Sequence, residues 1–466
     1  AFQNLSSQIP LLIATFFIGH LPDAPLLIAG AGLAIAFTEV TGTATAMGMS
    51  SAISTLVPQA IGAGKKQLLA IYFQRAAWVC ALVLVPVAIL QSYGGEIMCW
   101  LGQPAELCPI ISAYCNWLIL YIQFFCLISI LSRIGQALGY NTELFWTSMI
   151  CALLVIPLNY VFIYYLEVGY IGTAVSVGIC TVLNAVMNIV VLVYRGYGFL
   201  FKPLPLETIF TYKGIVVEYL GLSLPILFQI ALPFWFYDLC VILSGYIQNP
   251  SIALSAGTIV GSILVCMSLV SESLYLTISM RVGQYIGAGS IFYAKRSVLA
   301  GFVVYAIYAA VVGTIMVVFR HDIPYVYTSQ PDIVETVSDI LGLVVFRGIV
   351  YGIYINVAAV YLGLGKPQYP ATVMFFTQWV LSLSVMFVLL FVMNFKQDTL
   401  YGMYVIWVTP AAVGYVIGSS ILSVCLVFKM DWSLALNESK MRIRQCLTDY
   451  GSTACTETVQ DIALRE

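Results

Sequence analysis

The sequence predicts an all-α polytopic membrane protein with twelve transmembrane helices in two six-helix lobes related by pseudo-twofold symmetry. Three observations lead to this fold class. The composition is too apolar for a water-covered surface, the apolar residues fall into twelve long runs, and one hexapeptide occurs in both halves of the chain. These observations define, in turn, the environment, the number of helices and the symmetry.

The composition indicates a protein that lies in the lipid bilayer. The 466-residue chain is 61% hydrophobic and 9% charged, with a mean hydropathy of +0.98. Because soluble domains carry about 25% charged residues, this chain has too few charged side chains to cover a surface in water. The net charge of −2 and the lack of a basic stripe exclude a nucleic-acid partner, since phosphate binding requires clustered Lys and Arg.

The apolar residues form twelve runs of sufficient length to cross a membrane, which takes about 20 mostly apolar residues. The runs are approximately 5–22, 26–58, 67–92, 109–136, 144–165, 170–194, 216–245, 252–286, 293–318, 333–362, 369–393 and 400–428. The connections between them are short, so we expect neighbouring helices to be antiparallel.

A repeated hexapeptide indicates two similar lobes. The segment QAIGAG at 59–64 returns as QYIGAG at 284–289, and each copy ends a long apolar run. Its glycines suit a helix end followed by a turn. Because each lobe has an even number of helices, both lobes cross the membrane in the same sense, and the pseudo-twofold axis should lie along the membrane normal.

The basic residues outside the hydrophobic centres of the runs favour one side of the predicted membrane. On that side lie Lys65, Lys66, Arg133, Arg195, Lys202, Lys213, Arg281, Lys295, Arg296, Lys366 and Lys429. The other side carries only Arg320 and Lys396. The positive-inside rule therefore predicts that both termini are cytoplasmic. The predicted parts are an N-terminal lobe at 1–195, a cytoplasmic linker at 196–215, a C-terminal lobe at 216–428 and a cytoplasmic tail at 429–466.

The cysteines and histidines indicate no metal site. Most of the 12 cysteines lie inside apolar runs, as small core residues do. Cys99 and Cys108 flank a short polar connection predicted to lie outside the cytoplasm, where they either pair as a disulfide or stay as thiols. No Cys/His spacing suits zinc, no P-loop sequence occurs, and no catalytic constellation shares a face. We therefore expect no cofactor, no metal and no enzymatic activity.

Several segments match one known family in order and spacing. They are GMSSA at 48–52, TLVPQAIGA at 55–63, FQR at 73–75, PLNY at 157–160, SMRVGQ at 279–284 and GLGKPQ at 363–368. With these motifs the chain resembles the multidrug and toxic compound extrusion (MATE) transporters, in a divergent form of their eukaryotic branch. The resemblance implies export of drugs, metabolites or organic cations in exchange for H⁺, or for Na⁺, by alternating access. We expect a monomer in the plasma membrane or in a vacuolar or endosomal membrane.

Asp238 is the leading candidate for proton coupling. It ends the segment FWFYD at 234–238 in the seventh run, where eukaryotic relatives carry a glutamate after a tyrosine. A carboxyl group that loses hydration among aromatic rings takes up a proton more readily. The alternative interpretation is a structural hydrogen bond to a neighbouring helix.

Glu272 and Glu39 are two further candidates for the binding of H⁺ or another cation. Glu272 lies in the eighth run and could share a proton with Asp238; the alternative is an ion pair with Arg281 or Arg347. Glu39 lies in the second run, where the eukaryotic branch usually has asparagine, and gives the first lobe an acid of its own. The alternative for Glu39 is a salt bridge inside that lobe.

Four residues are predicted to line the substrate path. Phe234, Trp235 and Tyr237 could stack on a flat cationic substrate. Arg347 lies in the tenth run, where relatives have no basic residue, and either favours anionic or zwitterionic substrates or forms a structural pair with Glu272 or Asp238. The alternative function is a flippase of the wider superfamily for lipid-linked oligosaccharides, which would need a more basic cavity.

Overall fold

The fold is helical throughout the part of the chain that the structure describes. The computed structural model describes residues 10–453 apart from residues 12, 22–23 and 329. The side chains of a few helical residues, Asp238 among them, lie outside the described part. No β-strand occurs in the described residues, in agreement with the predicted all-α class.

Eleven helices of the described residues are long and apolar enough to cross a membrane. Before the linker these are α1 (Leu26–Gly62), α2 (Leu68–Ser92), α3 (Cys108–Leu138), α4 (Asn141–Tyr165) and α5 (Ile171–Phe201). After it come α6 (Lys213–Leu220 continued by Gly221–Ser244), α7 (Pro250–Gly287), α8 (Ile291–Val318), α9 (Pro331–Gly363), α10 (Gln368–Val392) and α11 (Thr399–Lys429). Each helix coincides with one predicted run. The first run, 5–22, lies partly outside the described residues. Within the described part of this run, residues 13–18 are helical.

The two copies of the hexapeptide end α1 and α7 in the same way. Gly64 and Gly289 have φ angles of +71° and +83°, which residues with a side chain rarely adopt. The amide that follows each glycine bonds the carbonyl five residues earlier, at 2.9 and 2.8 Å, as in a Schellman helix end. The repeat therefore encodes the same helix stop in both halves, as predicted.

Several spans contain π-helical segments. They include Glu39–Thr43 in α1, Phe375–Ser382 and Val388–Val392 in α10, and Pro410–Tyr415 in α11. Such segments are rare and frequently mark functional sites, because the wider turn disrupts the regular hydrogen-bond ladder. Glu39, a predicted site residue, opens the first of them.

The chain forms two compact units. The C-terminal unit is Phe228–Leu436, and the N-terminal unit consists of the described residues up to Leu227 together with those from Asn437 onward. The linker at 196–215 contains a 3₁₀ turn, Gly198–Phe201, and a short helix, Leu206–Ile209. The N-terminal unit therefore includes the linker and most of the polar tail.

The polar tail forms a helix after the last span, α12 (Trp432–Thr453). The Asp431 carboxylate accepts hydrogen bonds from the backbone N–H groups of Ser433 and Leu434, at 2.8 and 3.2 Å. An aspartate in this position satisfies donors that have no partner inside the helix. The start of the tail helix is therefore fixed by a local cap just past α11.

A disulfide closes the connection between α2 and α3. Cys99, in the short helix Gly94–Trp100, is bonded to Cys108 at the start of α3, with a Cα–Cα separation of 5.9 Å. This separation lies within the usual range for disulfides. The structure thus decides between the two alternatives that the sequence leaves open for this pair.

Candidate functional site

The predicted aromatic and acidic segment lies in the second half of α6. Phe234 and Trp235 are 49% and 37% exposed, whereas Tyr237 is half-buried and its ring lies 5.7 Å from the Trp407 ring of α11, edge to face. Asp238 follows Tyr237 on α6, and its side chain lies outside the described part. The segment therefore presents two aromatic residues outward and one into the C-terminal unit.

Two glycines of α7 leave room for the rings of Tyr237 and Trp407. A methyl group on Gly261 would come within 2.6 Å of the Tyr237 ring. One on Gly257 would come within 3.1 Å of the Trp407 indole. Both rings thus fill space that only a residue without Cβ leaves free. These glycines set the distance between α7 and the aromatic pair.

We expect Gly261→Ala to lower the free energy of unfolding by about 1–3 kcal/mol, because the new methyl group overpacks the site and displaces Tyr237. Gly342→Ala in α9 is the matched control, because no atom lies within 4 Å of its Cβ position. Alanine there should raise helix stability by up to about 1 kcal/mol. Thermal unfolding in detergent measures both variants, and equal melting temperatures would contradict the packing described here.

Arg347 of α9 is buried against Trp407. Its Nη1 donates to the Trp407 carbonyl at 3.0 Å, and its guanidinium carbon lies 5.4 Å from the centre of the Trp407 ring. The Tyr415 hydroxyl is also within hydrogen-bonding range. The interaction thus combines a charge-assisted hydrogen bond with a cation–π contact.

The ion pair between Arg347 and Glu272 that the sequence suggested is not formed among the described side chains. Arg347 is turned towards α11 instead, where it donates to the Trp407 carbonyl. The other suggested partner, Asp238, lies outside the described side chains. The suggested pair of Glu272 with Arg281 is also not formed among the described side chains, and Arg281 bonds Gln284 at 3.2 Å.

Pro410 explains why carbonyl groups of α11 accept hydrogen bonds from other helices. Pro410 has no N–H, so the Ile406 carbonyl four residues earlier loses its usual helical donor. The Cys240 thiol of α6 donates to this carbonyl at 3.6 Å, and Arg347 donates to the next one, that of Trp407. Side chains from two neighbouring helices therefore stabilise the segment of α11 that precedes its π-helical turn.

Tyr237, Trp407, Arg347, Tyr415 and Tyr351 contact one another in this order and form one cluster, and Glu272 lies at its Tyr351 end. It is half-buried in α7, with Ser268 within hydrogen-bonding range one turn earlier and the Tyr351 hydroxyl of α9 close enough to feel its charge. The Tyr351 and Tyr415 rings lie 5.2 Å apart. Through these two tyrosines the cluster extends from Glu272 to Arg347.

Glu39 lies in the N-terminal unit and is exposed at the start of its π-helical segment. Its carboxylate is within electrostatic range of the Tyr121 hydroxyl of α3. On the buried side of the same turn, Gln91 of α2 accepts from Thr38 at 3.1 Å and donates to Thr41 at 2.6 Å. Glu39 therefore projects from a turn whose opposite side is fixed by hydrogen bonds.

Sequence reasoning missed four residues of this arrangement, namely Cys240, Tyr351, Trp407 and Tyr415. A signal for one of them, Trp407, exists in the sequence. Pro410 interrupts an otherwise apolar run, so carbonyls just before it must find other donors, and Arg347 is the one deeply placed basic residue of that half. Pairing these two features would have directed attention to Trp407.

Carboxyl groups and an arginine inside membrane-spanning segments are costly and mark functional positions. Many solute transporters consist of two similar halves whose spanning helices contain irregular segments. The shared helix stop and the π-helical segments of this chain fit that class. Comparison with known proteins agrees with this class: the MatE family model matches residues 1–161 and 225–388. The chain belongs to the MatE family.

The relatives include proteins of plants and mammals. "Protein DETOXIFICATION 14" of Arabidopsis thaliana is 23% identical over 443 residues, which are 94% of this chain and 88% of the relative. "Multidrug and toxin extrusion protein 2" of Oryctolagus cuniculus is 23% identical over 437 residues, 92% of this chain and 69% of the relative. The protein is therefore a multi-pass membrane transporter of the eukaryotic branch and not an enzyme.

A solved structure confirms the fold. The crystal structure of the eukaryotic MATE transporter AtDTX14 matches with a TM-score of 0.83 at 22% identity, over 95% of this chain and 96% of that chain. The predicted class, an all-α polytopic fold of two six-helix lobes, is thereby confirmed.

Proposed function

We propose that this protein is a secondary active antiporter that exports small organic compounds in exchange for H⁺. The observation that carries the proposal is the position of Glu272. Its carboxyl group lies within a membrane-spanning helix beside Tyr351 and forms no ion pair with a described basic side chain. A charge at the bilayer centre costs about 2.5–3.5 kcal/mol, so proton binding stabilises such a group when water leaves.

Asp238 is the main proton carrier in this proposal, with Glu272 as its partner. The two acids lie on consecutive spans of the C-terminal half, α6 and α7. Two carboxyl groups near each other hold one proton between them more readily than two. Glu39 supplies a separate acid in the N-terminal unit, where it binds H⁺ or a cationic group of the substrate.

Transport follows from two states of the lobes. Protonation of Asp238 changes its hydrogen bonds and lets α6 bend at Pro233, which lacks the N–H of a regular helix, and the substrate is released outward. Deprotonation restores the state that binds substrate from the cytoplasm. The proton can drive this cycle because it binds the two states with different affinity.

The substrate class follows from the aromatic residues. The outward rings of Phe234 and Trp235, with Tyr237 behind them, offer faces for flat organic compounds and organic cations. Arg347 contacts Trp407, which in turn contacts Tyr237. The positive charge of Arg347 affects whether the site prefers cationic or anionic substrates. Its contacts with a carbonyl and an indole disfavour the flippase alternative, which would need a free basic group for pyrophosphate.

The orientation with both termini in the cytoplasm is part of the proposal. The disulfide between Cys99 and Cys108 supports it, because disulfides persist in oxidising compartments and the charge asymmetry puts this connection outside the cytoplasm. We further propose that the protein acts as a monomer in the plasma membrane or in a vacuolar or endosomal membrane.

Uptake into proteoliposomes tests the function. Purified protein is reconstituted, and uptake of tetraethylammonium, fluorescein and coumarin, representing cations, anions and neutral compounds, is measured with a pH gradient or with a Na⁺ gradient. We expect uptake that the pH gradient drives and a proton ionophore abolishes. Uptake driven by Na⁺ alone would favour the Na⁺-coupled alternative. Uptake that neither gradient affects would refute antiport.

A further inference from the structure

The polar pair Gln74-Arg75 of α2 binds the linker between the two halves. The Gln74 amide donates to the carbonyls of Leu200 and Lys202, at 3.1 and 2.6 Å, and its oxygen accepts from the Leu204 N–H at 3.0 Å. One buried side chain therefore holds three backbone groups of the entry to the linker.

Arg75 binds the second part of the linker. It is 1% exposed. Its guanidinium donates to the carbonyls of Ile209 and Thr208 at 3.2 and 3.0 Å, and to the Thr211 hydroxyl at 3.1 Å. It also forms an ion pair with Glu218 of α6 at 3.3 Å. The planar fork of arginine suits this set of acceptors, which a lysine could not satisfy.

Gly214, at the start of α6, leaves the space that the guanidinium occupies. A methyl group there would lie 2.6 Å from the Arg75 Nη1 and 2.5 Å from the Thr211 hydroxyl. Any side chain at this position would therefore push Arg75 out of its contacts. Glycine at 214 is thus part of the same arrangement.

The tail helix α12 packs on the same part of the N-terminal unit. The Ser439 hydroxyl and Arg442 Nη2 both donate to the Gln59 oxygen, at 3.0 and 3.1 Å. Arg75 Nη1 lies 3.8 Å from the Cys446 sulfur. The linker and the tail therefore meet at one buried arginine.

We propose that Gln74 and Arg75 are positioning residues for transport, which hold the linker and the cytoplasmic start of α6 fixed on the N-terminal unit. This anchoring affects the rest of α6, because the second half of the same helix carries Tyr237 and Asp238. A linker that loses its anchors lets the start of α6 shift, and the conformational cycle slows. The proposal rests on the transport activity of the family and not on the role of Asp238.

Hydrogen–deuterium exchange of the full-length protein tests the anchoring, with three variants. Gln74→Leu should speed exchange at 200–204, and Arg75→Lys and Gly214→Ala should speed it at 208–214, each by roughly tenfold or more. Arg75→Lys keeps the charge opposite Glu218, and so separates loss of the fork from loss of the ion pair. Unchanged exchange in these segments would overturn the proposal.

Two matched controls complete the exchange experiment. Gln123→Leu removes a half-buried amide group, whose Nε2 makes one long hydrogen bond to the Leu84 carbonyl, at 3.5 Å. Gly198→Ala adds a methyl group in the linker whose nearest neighbour, Val193, is 3.8 Å away. Neither control should change exchange at 200–214. If both did, the linker would be generally labile and the specific role of Gln74 and Arg75 would be refuted.

Transport kinetics test the functional half, with whichever of tetraethylammonium, fluorescein and coumarin the wild type carries. We expect the maximal rate of Arg75→Lys and Gly214→Ala to fall several-fold while KM and the dependence on the pH gradient stay unchanged. A faster-exchanging linker with a wild-type rate would overturn the positioning role. Loss of the dependence on the pH gradient would also contradict the positioning role, because it would show that Arg75 takes part in coupling transport to H⁺. Neither result bears on Asp238, whose own variant is measured separately.

Discussion

Asp238→Asn is expected to reduce exchange driven by a pH gradient by about a hundredfold, the scale on which positioned proton-transfer groups act. Asparagine has nearly the shape of aspartate but cannot carry a proton. The substitution lies next to Tyr237, whose ring contacts Trp407, and it leaves that packing intact. We therefore expect folding, detergent stability and substrate binding to persist. Uptake into proteoliposomes with and without an imposed pH gradient measures the effect.

Asp332→Asn is the matched control for this prediction, because Asp332 is an exposed aspartate at the start of α9. It should leave the rate within a factor of about two, as surface substitutions usually do. Glu272→Gln should also reduce H⁺-driven exchange, but by less than Asp238→Asn does. The reason is that Asp238, the main proton carrier, is still present in the Glu272→Gln variant. Wild-type coupling in Asp238→Asn would remove this residue from the mechanism.

Arg347→Met is expected to lower the free energy of unfolding by about 2 kcal/mol. The variant loses a charge-assisted hydrogen bond worth about 1.5–3 kcal/mol and a cation–π contact worth about 0.5–2 kcal/mol. Relief of a buried charge offsets part of this loss. The Trp407 carbonyl, beside the one freed by Pro410, is then left without its arginine donor. Thermal unfolding in detergent measures the change.

Arg296→Met is the control for Arg347, since Arg296 is an exposed arginine of α8 and its loss should change stability by less than about 0.5 kcal/mol. Arg347→Lys should fall between wild type and Arg347→Met, because an ammonium group reaches one acceptor but lacks the planar surface for Trp407. Equal melting temperatures for Arg347→Met and Arg296→Met would show that the segment of α11 before Pro410 is stabilised in another way.

The spans could be predicted because lipid imposes one simple requirement. A segment that crosses the bilayer must be apolar over its length and must satisfy its own backbone hydrogen bonds, so an apolar run becomes a helix. The stops at Gly64 and Gly289 were equally predictable, since positive φ favours glycine. The resemblance of the motifs to the family extended the same reasoning to the fold.

The interior of the C-terminal unit was less predictable. The contact between Arg347 and Trp407 joins residues of two different helices, and apolar periodicity does not specify which faces meet. The π-helical segment Pro410–Tyr415 adds a local change of register that shifts the residues around it. The sequence therefore identified Arg347 as unusual and offered a role in substrate charge or a pair with Glu272 or Asp238, but not the Trp407 carbonyl that it binds.

The central claim is that outward movement of substrate and inward movement of protons are one process. The most direct measurement loads proteoliposomes with the transported compound and with pyranine, dilutes them into compound-free buffer at equal pH, and records the pH of the lumen. The account predicts that the lumen acidifies as the compound leaves, and that Asp238→Asn abolishes this acidification. Exit of the compound from wild-type vesicles at constant lumenal pH would contradict it.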